Sequence, residues 1–273
     1  MNSHDILVPY YRDQYALLQR NVSISELLSY WAGDERGNHF KNNANDFPLC
    51  VPIATQCLQA VGVAYALKYR QEPKVVVTCC GDGATSKGDF YEAINAAGVW
   101  NLPILFVVIN NQWAISVPLE KQTRATALAQ KAVAAGIEGI RVDGNDAVAC
   151  YSVFKDSLAK IHNGQGPFLI EAVTYRLCDH TTVDDGSRYQ PQKEFENAKQ
   201  YDPLLRLKNY MINNEIWNDT MQQQAIDQCN TQITEAINEL ETTPPQNKYD
   251  LFDYLYTELP ACYHQQRKEL GEQ

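Results

Sequence analysis

The sequence has little positive charge and no long run of apolar residues. Lysine and arginine number 23 against 33 aspartates and glutamates, and the formal net charge is −10. Nucleic-acid binding needs clustered basic side chains that neutralise phosphates, so this balance argues against a nucleic-acid-binding protein. The longest apolar run, Ile104–Ile109, has the length of a strand, and the polar start Met1–Asp5 does not resemble a signal peptide. We therefore expect a cytoplasmic protein that binds neither nucleic acid nor a membrane.

Patterned cysteines are also missing. The eight cysteines are scattered, and no two of them stand in a Cys-x-x-Cys spacing. This argues against a structural zinc site, and the adjacent Cys79 and Cys80 cannot bridge each other without strain. Scattered, unpatterned cysteines are typical of a reducing compartment, which agrees with the cytoplasmic prediction.

Two common phosphate-binding motifs fail at the glycine-rich turn that follows an apolar run. Gly81–Ser86 lacks the third glycine of a dinucleotide-binding fingerprint. Ser86-Lys87-Gly88 is not the Gly-Lys-Ser/Thr of a P-loop. The turn therefore indicates neither a dinucleotide-binding protein nor a P-loop nucleotidase.

The sequence does contain two apolar, β-rich runs that end in oxygen-bearing side chains. Val75–Cys80 leads directly into Gly81-Asp82-Gly83, and Ile104–Ile109 leads into Asn110-Asn111. A helix-like segment joins the runs, so the pattern predicts two parallel strands with a crossover helix. Ligands of open α/β sheets bind outside the carboxyl ends of the strands. A carboxylate and an amide oxygen at that edge suit Mg²⁺, which can also carry a phosphorylated cofactor.

Strand-like and helix-like segments alternate from Val75 to Val173, which predicts an α/β protein with a doubly wound parallel sheet. Ile53–Tyr69 is apolar on most sides and predicts a buried helix, and Thr126–Ala135 is predicted as a further helix. Beyond Asp202 the composition changes to helices rich in Gln, Asn and Glu. We expect an α/β domain over residues 1–200, with an irregular segment at 1–50 and an active-site loop at 177–193, and a helical C-terminal extension with a partner-docking tail over 201–273.

Gly81-Asp82-Gly83 and Asn110-Asn111, separated by residues 84–109, resemble the thiamine-diphosphate-binding motif. The flanking glycines allow a sharp turn and a close approach to a diphosphate. Further segments extend the likeness in order: LVPYYRDQ, DERGNHF, GDGATSKGDFYEAINAAGVW, NNQWAISVP, TALAQKAVAAGI, VDGND, GPFLIEAVTYR and DHTTVDDGSRY. From about Val8 to Pro260 the chain resembles the alpha subunit of the thiamine-diphosphate-dependent 2-oxoacid dehydrogenase, the first component of a multienzyme complex. The bacterial pyruvate dehydrogenase branch looks closest.

The resemblance implies a role for each matching residue. Asp82 and Asn111 are implied as Mg²⁺ ligands, together with the backbone carbonyl of Trp113. Arg12 and Arg176 are implied as diphosphate binders, because the guanidinium fork suits phosphate oxygens. The remaining implied cofactor contacts are Tyr11, Val51, Ile53, Gly81, Gly83, Ile115 and His180.

Four of these contacts carry more specific expectations from the same resemblance. Val51 and Ile53 belong to the segment that cradles the aminopyrimidine through backbone groups. Ile115 is implied as the apolar wedge that bends the cofactor, with core packing as its alternative role. His180 matches the histidine of the family's active-site loop, which lies near the diphosphate and helps order that loop, and it is our candidate catalytic residue.

The implied activity is oxidative decarboxylation of pyruvate, with transfer of the acetyl group to the lipoyl group of an acyltransferase component. In the family, the catalytic glutamate belongs to the beta subunit, so we expect this chain to supply half of an active site in an α₂β₂ heterotetramer. Two alternatives stay open. One is the branched-chain 2-oxoacid dehydrogenase, which shares these motifs. The other is a truncated, non-catalytic interaction subunit, because family members carry more residues before Tyr11-Arg12.

Overall fold

The computed structural model describes residues 1–43, 45–253 and 255–271. Its centre is a sheet of five parallel strands in the order β1-β2-β3-β7-β6, and β4 and β5 form a separate antiparallel hairpin. The strands are β1 Ile6–Val8, β2 Val76–Gly81, β3 Ile104–Asn110, β4 Trp113–Ala114, β5 Val117–Pro118, β6 Glu138–Asp143 and β7 Phe168–Val173. The parallel sheet confirms the predicted α/β class.

Helices connect these strands and continue beyond them. The α-helices of the described residues are α1 Gln14–Leu18, α2 Ile24–Trp31, α3 Thr55–Tyr69, α4 Gly88–Val99, α5 Leu119–Gln122, α6 Lys131–Ala134, α7 Ala147–His162, α8 Gln192–Lys199, α9 Pro203–Asn213, α10 Asp219–Thr242, α11 Asp250–Asp253 and α12 Ala261–Glu269. Short 3₁₀ turns cover Glu35–Asn38, Asp82–Ser86, Leu128–Gln130 and Gly186–Arg188. In this part of the chain, no helix is both long and apolar enough to cross a membrane.

The predicted helix over Thr126–Ala135 is only partly confirmed, because it is shorter and is not a continuous α-helix. The segment is a 3₁₀ turn at Leu128–Gln130 followed by the four-residue helix α6. The backbone N–H of Ala129 donates a 3.0 Å hydrogen bond to the buried carboxylate of Glu171 in β7. A tertiary acceptor therefore takes a donor that a continuous helix would use within itself.

The central strands are buried on both faces, as parallel strands covered by helices require. Val76, Ile104 and Phe106 pack against α3 and α4 in the main hydrophobic core. Val77 and Leu105, whose side chains point to the opposite face, are buried as well. Helix α7 contacts β3, β6 and β7. The sheet is thus covered on both sides, in agreement with the predicted doubly wound arrangement.

The two runs that end in oxygen-bearing side chains are parallel neighbours. β2 and β3 pair along their length, and Gly81 stands opposite Ile109 at the end of the register. Asp82 and Asn110 therefore follow at the same edge of the sheet. The predicted strand pair and its crossover helix, α4, are confirmed.

The chain divides into two compact units. The first comprises Met1–Val22 and His39–Asp227 and contains the sheet, and the second comprises Ser23–Asn38 and Gln228–Gln273. In the second unit, Ser23 and Glu26 form a reciprocal capping box at the start of α2. The predicted boundary at residue 200 and the predicted docking role of the tail, part of which lies outside the described residues, stay predictions.

Candidate cofactor site

A cavity of about 260 Å³ opens at the carboxyl ends of β2 and β3. Segments that are distant in sequence form its walls: the N-terminal strand end, the start of α3, the two strand ends, the β4–β5 hairpin and the loop after β7. Among its lining residues are Tyr11, Arg12, Val51, Ile53, Gly81, Asp82, Gly83, Asn111, Trp113, Ile115 and His180. The structure thus brings together every predicted site residue except Arg176, although their binding roles stay predictions.

Asp82 is the buried carboxylate of this site. The residue is 1% exposed, and its Oδ2 accepts a 2.9 Å hydrogen bond from Nε2 of Gln122. Burial raises the pKa of Asp82, while hydrogen bonds, including one from the backbone N–H of Asn111, and the charge of Arg176 act in the opposite direction. Because burial dominates, the ionised carboxylate lacks full compensation, and a bound cation would supply it.

The two adjacent asparagines have different surroundings. Asn110 is fully buried, and its Nδ2 donates a 2.8 Å hydrogen bond to Oε1 of Glu171, which ties β3 to β7. Asn111 lines the cavity, and its Oδ1 accepts a 3.0 Å hydrogen bond from the backbone N–H of Trp113. Asn111 therefore lies in the cavity wall with its backbone N–H bonded to Asp82, whereas Asn110 joins two strands.

The β4–β5 hairpin places Ile115 at the cavity in a strained backbone conformation. Its φ is 56°, in the left-handed region that β-branched residues rarely adopt, and the side chain is half-exposed. Nη1 of Arg176 donates a 2.9 Å hydrogen bond to the carbonyl oxygen of Ile115. Gly83 packs against the same hairpin, since a Cβ there would lie 2.7 Å from the Cβ of Ala114. The fold thus holds an apolar side chain where its backbone is unfavourable, a pattern typical of functional sites.

Two further observations agree with a bound organic group. Gly81 has an ordinary φ of −80°, and a Cβ there would meet no atom within 4 Å, so the missing side chain leaves room in the cavity. Gln56 is buried, and its Nε2 donates to the carbonyl oxygen of Cys79 at 2.8 Å. Its Oε1 is buried without a donor among the described residues. Both residues line the cavity, so open space and a buried acceptor without a donor in the described part of the chain belong to the same site.

The loop after β7 is fixed to the cavity through His180. Nη2 of Arg12 donates to the carbonyl oxygen of His180 at 2.6 Å and lies 3.2 Å from its Nδ1. The backbone N–H of His180 donates to Asp184 at 2.8 Å. Burial lowers the pKa of His180, and the charges of Arg12 and Arg176 lower it further, while Asp184 raises it. Burial and the two arginines thus favour the neutral form of the imidazole.

Arg176 lies behind the cavity wall and is almost completely buried. Besides Ile115, its guanidinium donates to the carbonyl oxygen of Cys178 at 3.1 Å and to the hydroxyl of Tyr189. Tyr189 in turn donates to Asp184, the residue that holds His180. Arg176 therefore connects the β4–β5 hairpin to the loop after β7. The sequence predicted Arg176 as a phosphate binder and did not predict this connection.

Sequence reasoning missed several residues around the cavity. Gln122 and Asp13 gave no signal, since both stand in unremarkable polar segments, whereas Gln56 is a polar residue inside an apolar helix and could have been noticed. Asp13 is 6% exposed and accepts the backbone N–H of Tyr10 at 3.0 Å. Burial raises the pKa of Asp13 to about 7, although hydrogen bonds from Tyr10 and Cys79 oppose the shift.

The donor set at the cavity is consistent with a hard cation held by few protein ligands. In the described ranges, no group of three or more His, Cys, Asp and Glu side chains is placed to hold a metal ion. Asp82 and Asn111 instead offer one carboxylate and one amide oxygen. Mg²⁺ is commonly bound by one or two carboxylates together with substrate phosphates, so this smaller set fits a metal that arrives with a diphosphate.

Comparisons with known proteins agree with this geometry. The sequence profile of the family described as "Dehydrogenase E1 component" matches residues 1–248. The chain is 38% identical over 261 residues to the pyruvate dehydrogenase E1 component subunit alpha of Staphylococcus aureus, with 95% of this chain and 70% of the relative covered. It is 39% identical over 266 residues to the 3-methyl-2-oxobutanoate dehydrogenase subunit alpha of Mycobacterium tuberculosis, with 97% and 72% covered. The chain therefore belongs to the dehydrogenase E1 component family, as a 2-oxoacid dehydrogenase subunit of the alpha type, and this family depends on thiamine diphosphate.

Proposed function

We propose that this chain is the alpha subunit of a pyruvate dehydrogenase that acts with a beta subunit and transfers the acetyl group to the lipoyl group of an acyltransferase component. The observation that carries the proposal is the buried Asp82 at the head of the cavity, beside Asn111 and the open space at Gly81. These features are what a diphosphate-bearing cofactor with its metal requires: oxygen ligands, positive charge nearby and room for the group.

In this proposal, Asp82, Asn111 and the backbone carbonyl of Trp113 hold Mg²⁺. Arg12, which lines the cavity, and Arg176, which acts from behind its wall, supply positive charge to the diphosphate. Thiamine diphosphate, when bound, supplies an electron sink for the loss of carbon dioxide from a 2-oxoacid.

The organic part of the cofactor is assigned to the other walls of the cavity. Tyr11 would contact the cofactor, and the backbone groups of Val51 and Ile53 would hold the aminopyrimidine. Ile115, whose half-exposed side chain is fixed on a strained hairpin, would be the apolar wedge against the cofactor. His180, held neutral by burial and by Arg12, accepts or donates hydrogen bonds at the cavity mouth and keeps the loop closed against water.

A beta subunit is needed to complete this site. The implied chemistry would need a carboxylate beside the aminopyrimidine as a proton acceptor. No side chain that lines the cavity within the described residues is a glutamate. We expect the partner subunit to supply that glutamate, so that this chain alone binds the cofactor weakly and does not turn over substrate.

The metal assignment is tested by Asp82→Ala, with Asp156→Ala on the exposed surface of α7 as the matched control. Asp82→Ala should abolish Mg²⁺-dependent binding of thiamine diphosphate in titration calorimetry while the circular dichroism of the chain is unchanged. Asp156→Ala should leave both properties as they are. Unchanged affinity in Asp82→Ala would refute the metal site.

The substrate is tested by decarboxylation assays on the chain alone and on the chain purified with its beta subunit. A branched-chain 2-oxoacid is the alternative substrate, since a relative of almost the same identity carries the name 3-methyl-2-oxobutanoate dehydrogenase. Turnover only with the partner, and faster on pyruvate, would support the proposal. Faster turnover of 3-methyl-2-oxobutanoate would favour the branched-chain alternative, and no turnover in a stable pair would favour a non-catalytic interaction subunit.

A further inference from the structure

Lys131 is a buried lysine whose ammonium group is held mainly by one residue. It is the first residue of α6 and is 7% exposed. Nζ donates to the carbonyl oxygen of Thr85 at 2.6 Å and to its hydroxyl at 2.9 Å, and it lies 4.9 Å from the ring centroid of Tyr91. Burying an ammonium group is unfavourable unless hydrogen bonds and charge interactions compensate for the lost water. Here both polar partners belong to a single uncharged residue.

Thr85 connects this lysine to the turn that carries Asp82. The threonine is 1% exposed, and its hydroxyl donates a 2.7 Å hydrogen bond to the carbonyl oxygen of Asp82. A hydroxyl has one hydrogen, so the same oxygen must act as the acceptor toward Lys131. The lysine thus fixes both the backbone and the side-chain orientation of Thr85, and Thr85 fixes the backbone of Asp82.

The segment that carries Lys131 is itself held from the other side. Ala129 donates its backbone N–H to Glu171 of β7, and a Cβ on Gly139 of β6 would lie 2.4 Å from the carbonyl oxygen of Ala129. The segment therefore packs tightly against two strands of the sheet. Lys131 reaches from this fixed segment to the Asp82–Ser86 turn.

We propose that Lys131 is a positioning residue for the metal site. Acting through Thr85, it holds the Asp82–Ser86 turn in the conformation in which the Asp82 carboxylate can bind Mg²⁺. This inference rests on the proposed function, in which Asp82 is a metal ligand. Lys131 is not among the residues that line the cavity, so its effect should fall on the affinity for Mg²⁺ and not on the recognition of the 2-oxoacid.

The test compares substitutions at both ends of the contact, in the full chain purified with its beta subunit. Lys131→Met keeps the length of the side chain without its charge, and Thr85→Val removes the hydroxyl, whereas Thr85→Ser retains it. Calorimetric titration of Mg²⁺ at saturating thiamine diphosphate should show affinity about tenfold weaker in Lys131→Met and in Thr85→Val. Thr85→Ser should restore most of the affinity. The control is Lys155→Met, which removes an exposed lysine that also lies over a tyrosine ring.

Two further readouts distinguish positioning from general loss of structure. The double variant Lys131→Met/Thr85→Val should bind Mg²⁺ about as well as the weaker single variant, because both changes break one connection. The KM for the 2-oxoacid, measured at saturating Mg²⁺ and cofactor, should stay unchanged. If Lys131→Met does not fold, Lys131→Gln, which removes the charge but keeps a hydrogen-bond donor, replaces it in the same titration and should also bind Mg²⁺ more weakly than the parent chain.

Wild-type affinity in Lys131→Met would overturn the positioning role, and so would equal losses in Thr85→Val and Thr85→Ser. Asp82→Ala, measured in the same series, distinguishes failure of the positioning role from failure of the proposed metal site. Loss of Mg²⁺ binding in Asp82→Ala with no change in Lys131→Met would refute only the positioning role. Full Mg²⁺ affinity in Asp82→Ala would overturn the proposed metal site and the positioning role with it.

Discussion

The guanidinium of Arg176 donates a 2.9 Å hydrogen bond to the carbonyl oxygen of Ile115, the residue that faces the cavity with a φ of 56°. A nearly buried arginine therefore holds a β-branched residue in the left-handed backbone region. Such conformations persist only where the surrounding structure enforces them. Arg176 therefore holds both the hairpin, through Ile115, and the active-site loop, through Cys178 and Tyr189.

Ile115→Gly should separate stability from cofactor binding. Glycine adopts a positive φ without strain, so we expect the variant to be more stable toward unfolding by about 1 kcal/mol. The same change removes the apolar side chain from the cavity and should weaken cofactor binding about tenfold. Urea unfolding and titration calorimetry would measure the two effects. A variant that is less stable than the parent chain would show that the side chain packs in the core, the alternative role considered for Ile115.

Gly81→Ala should fold normally but bind cofactor poorly. The backbone of Gly81 has a φ that any residue adopts, and the new Cβ would meet no atom within 4 Å, so stability should change by less than about 1 kcal/mol. The methyl group would instead occupy space in the cavity. Gly88→Ala is the matched control, since a Cβ at Gly88 also meets no atom within 4 Å but Gly88 does not line the cavity. Equal cofactor affinity in the two variants would contradict the assignment of the space at Gly81.

Asp82→Asn should stabilise the chain in the absence of ligands. Burial raises the pKa of Asp82, so its ionised form is disfavoured in the folded state, and an amide would remove that charge while still accepting the hydrogen bond from Gln122. The variant should therefore melt at a higher temperature than the parent chain without Mg²⁺. It should gain no stability from Mg²⁺ and thiamine diphosphate, whereas the parent chain should. An equal rise in the melting temperature of both proteins on addition of Mg²⁺ and thiamine diphosphate would contradict a metal-binding role for the Asp82 carboxylate.

Arg12→Gln should raise the pKa of His180. In the native loop, burial and the charges of Arg12 and Arg176 lower this pKa below the ordinary value of 6.5. When the loop is displaced and solvated, His180 has its ordinary pKa and binds a proton more readily than in the ordered loop. The ordered loop should therefore lose stability relative to the displaced loop as the pH falls below 6.5. Removing one neighbouring charge should move the midpoint of an NMR titration of the imidazole upward. Lys193→Gln, which removes an exposed charge at the end of the loop, should leave it in place.

Asp13→Asn should flatten part of the pH dependence of stability. Burial raises the pKa of Asp13 to about 7, whereas an aspartate in an unfolded chain titrates near 3.9. The stability contributed by neutral Asp13 is therefore complete below about pH 4 and is lost as the pH rises to about 7. Asparagine stays neutral, so the free energy of unfolding of Asp13→Asn should increase relative to that of the parent chain between about pH 4 and pH 7, by up to about 4 kcal/mol. Denaturant unfolding at several pH values would measure it, and a constant difference between the proteins would contradict the shifted pKa.

The parts of the site that could be predicted from sequence are those written in local patterns. Two apolar runs with terminal Asp and Asn residues predict neighbouring parallel strands, and the parallel pairing of β2 with β3 confirms them. The family motifs indicated which residues gather at the cavity. The connection from Lys131 through Thr85, the position of Arg176 behind the wall and the burial of Asp13 depend on contacts between distant segments. Local composition does not predict such contacts. For the same reason it does not predict that the helix over Thr126–Ala135 is interrupted by the contact of Ala129 with Glu171.

The contact between Arg12 and His180 joins residues that are 168 positions apart in the chain. Strand β1, which leads into Arg12, pairs with β2, and the hydroxyl of Thr78 donates to the carbonyl oxygen of Val8 across 70 positions. Closing loops of this length is entropically unfavourable and slows folding. We therefore expect the cavity to be completed after the central strands have paired, so that a cofactor stabilises the chain only once the segments from Tyr11 to His180 are in place.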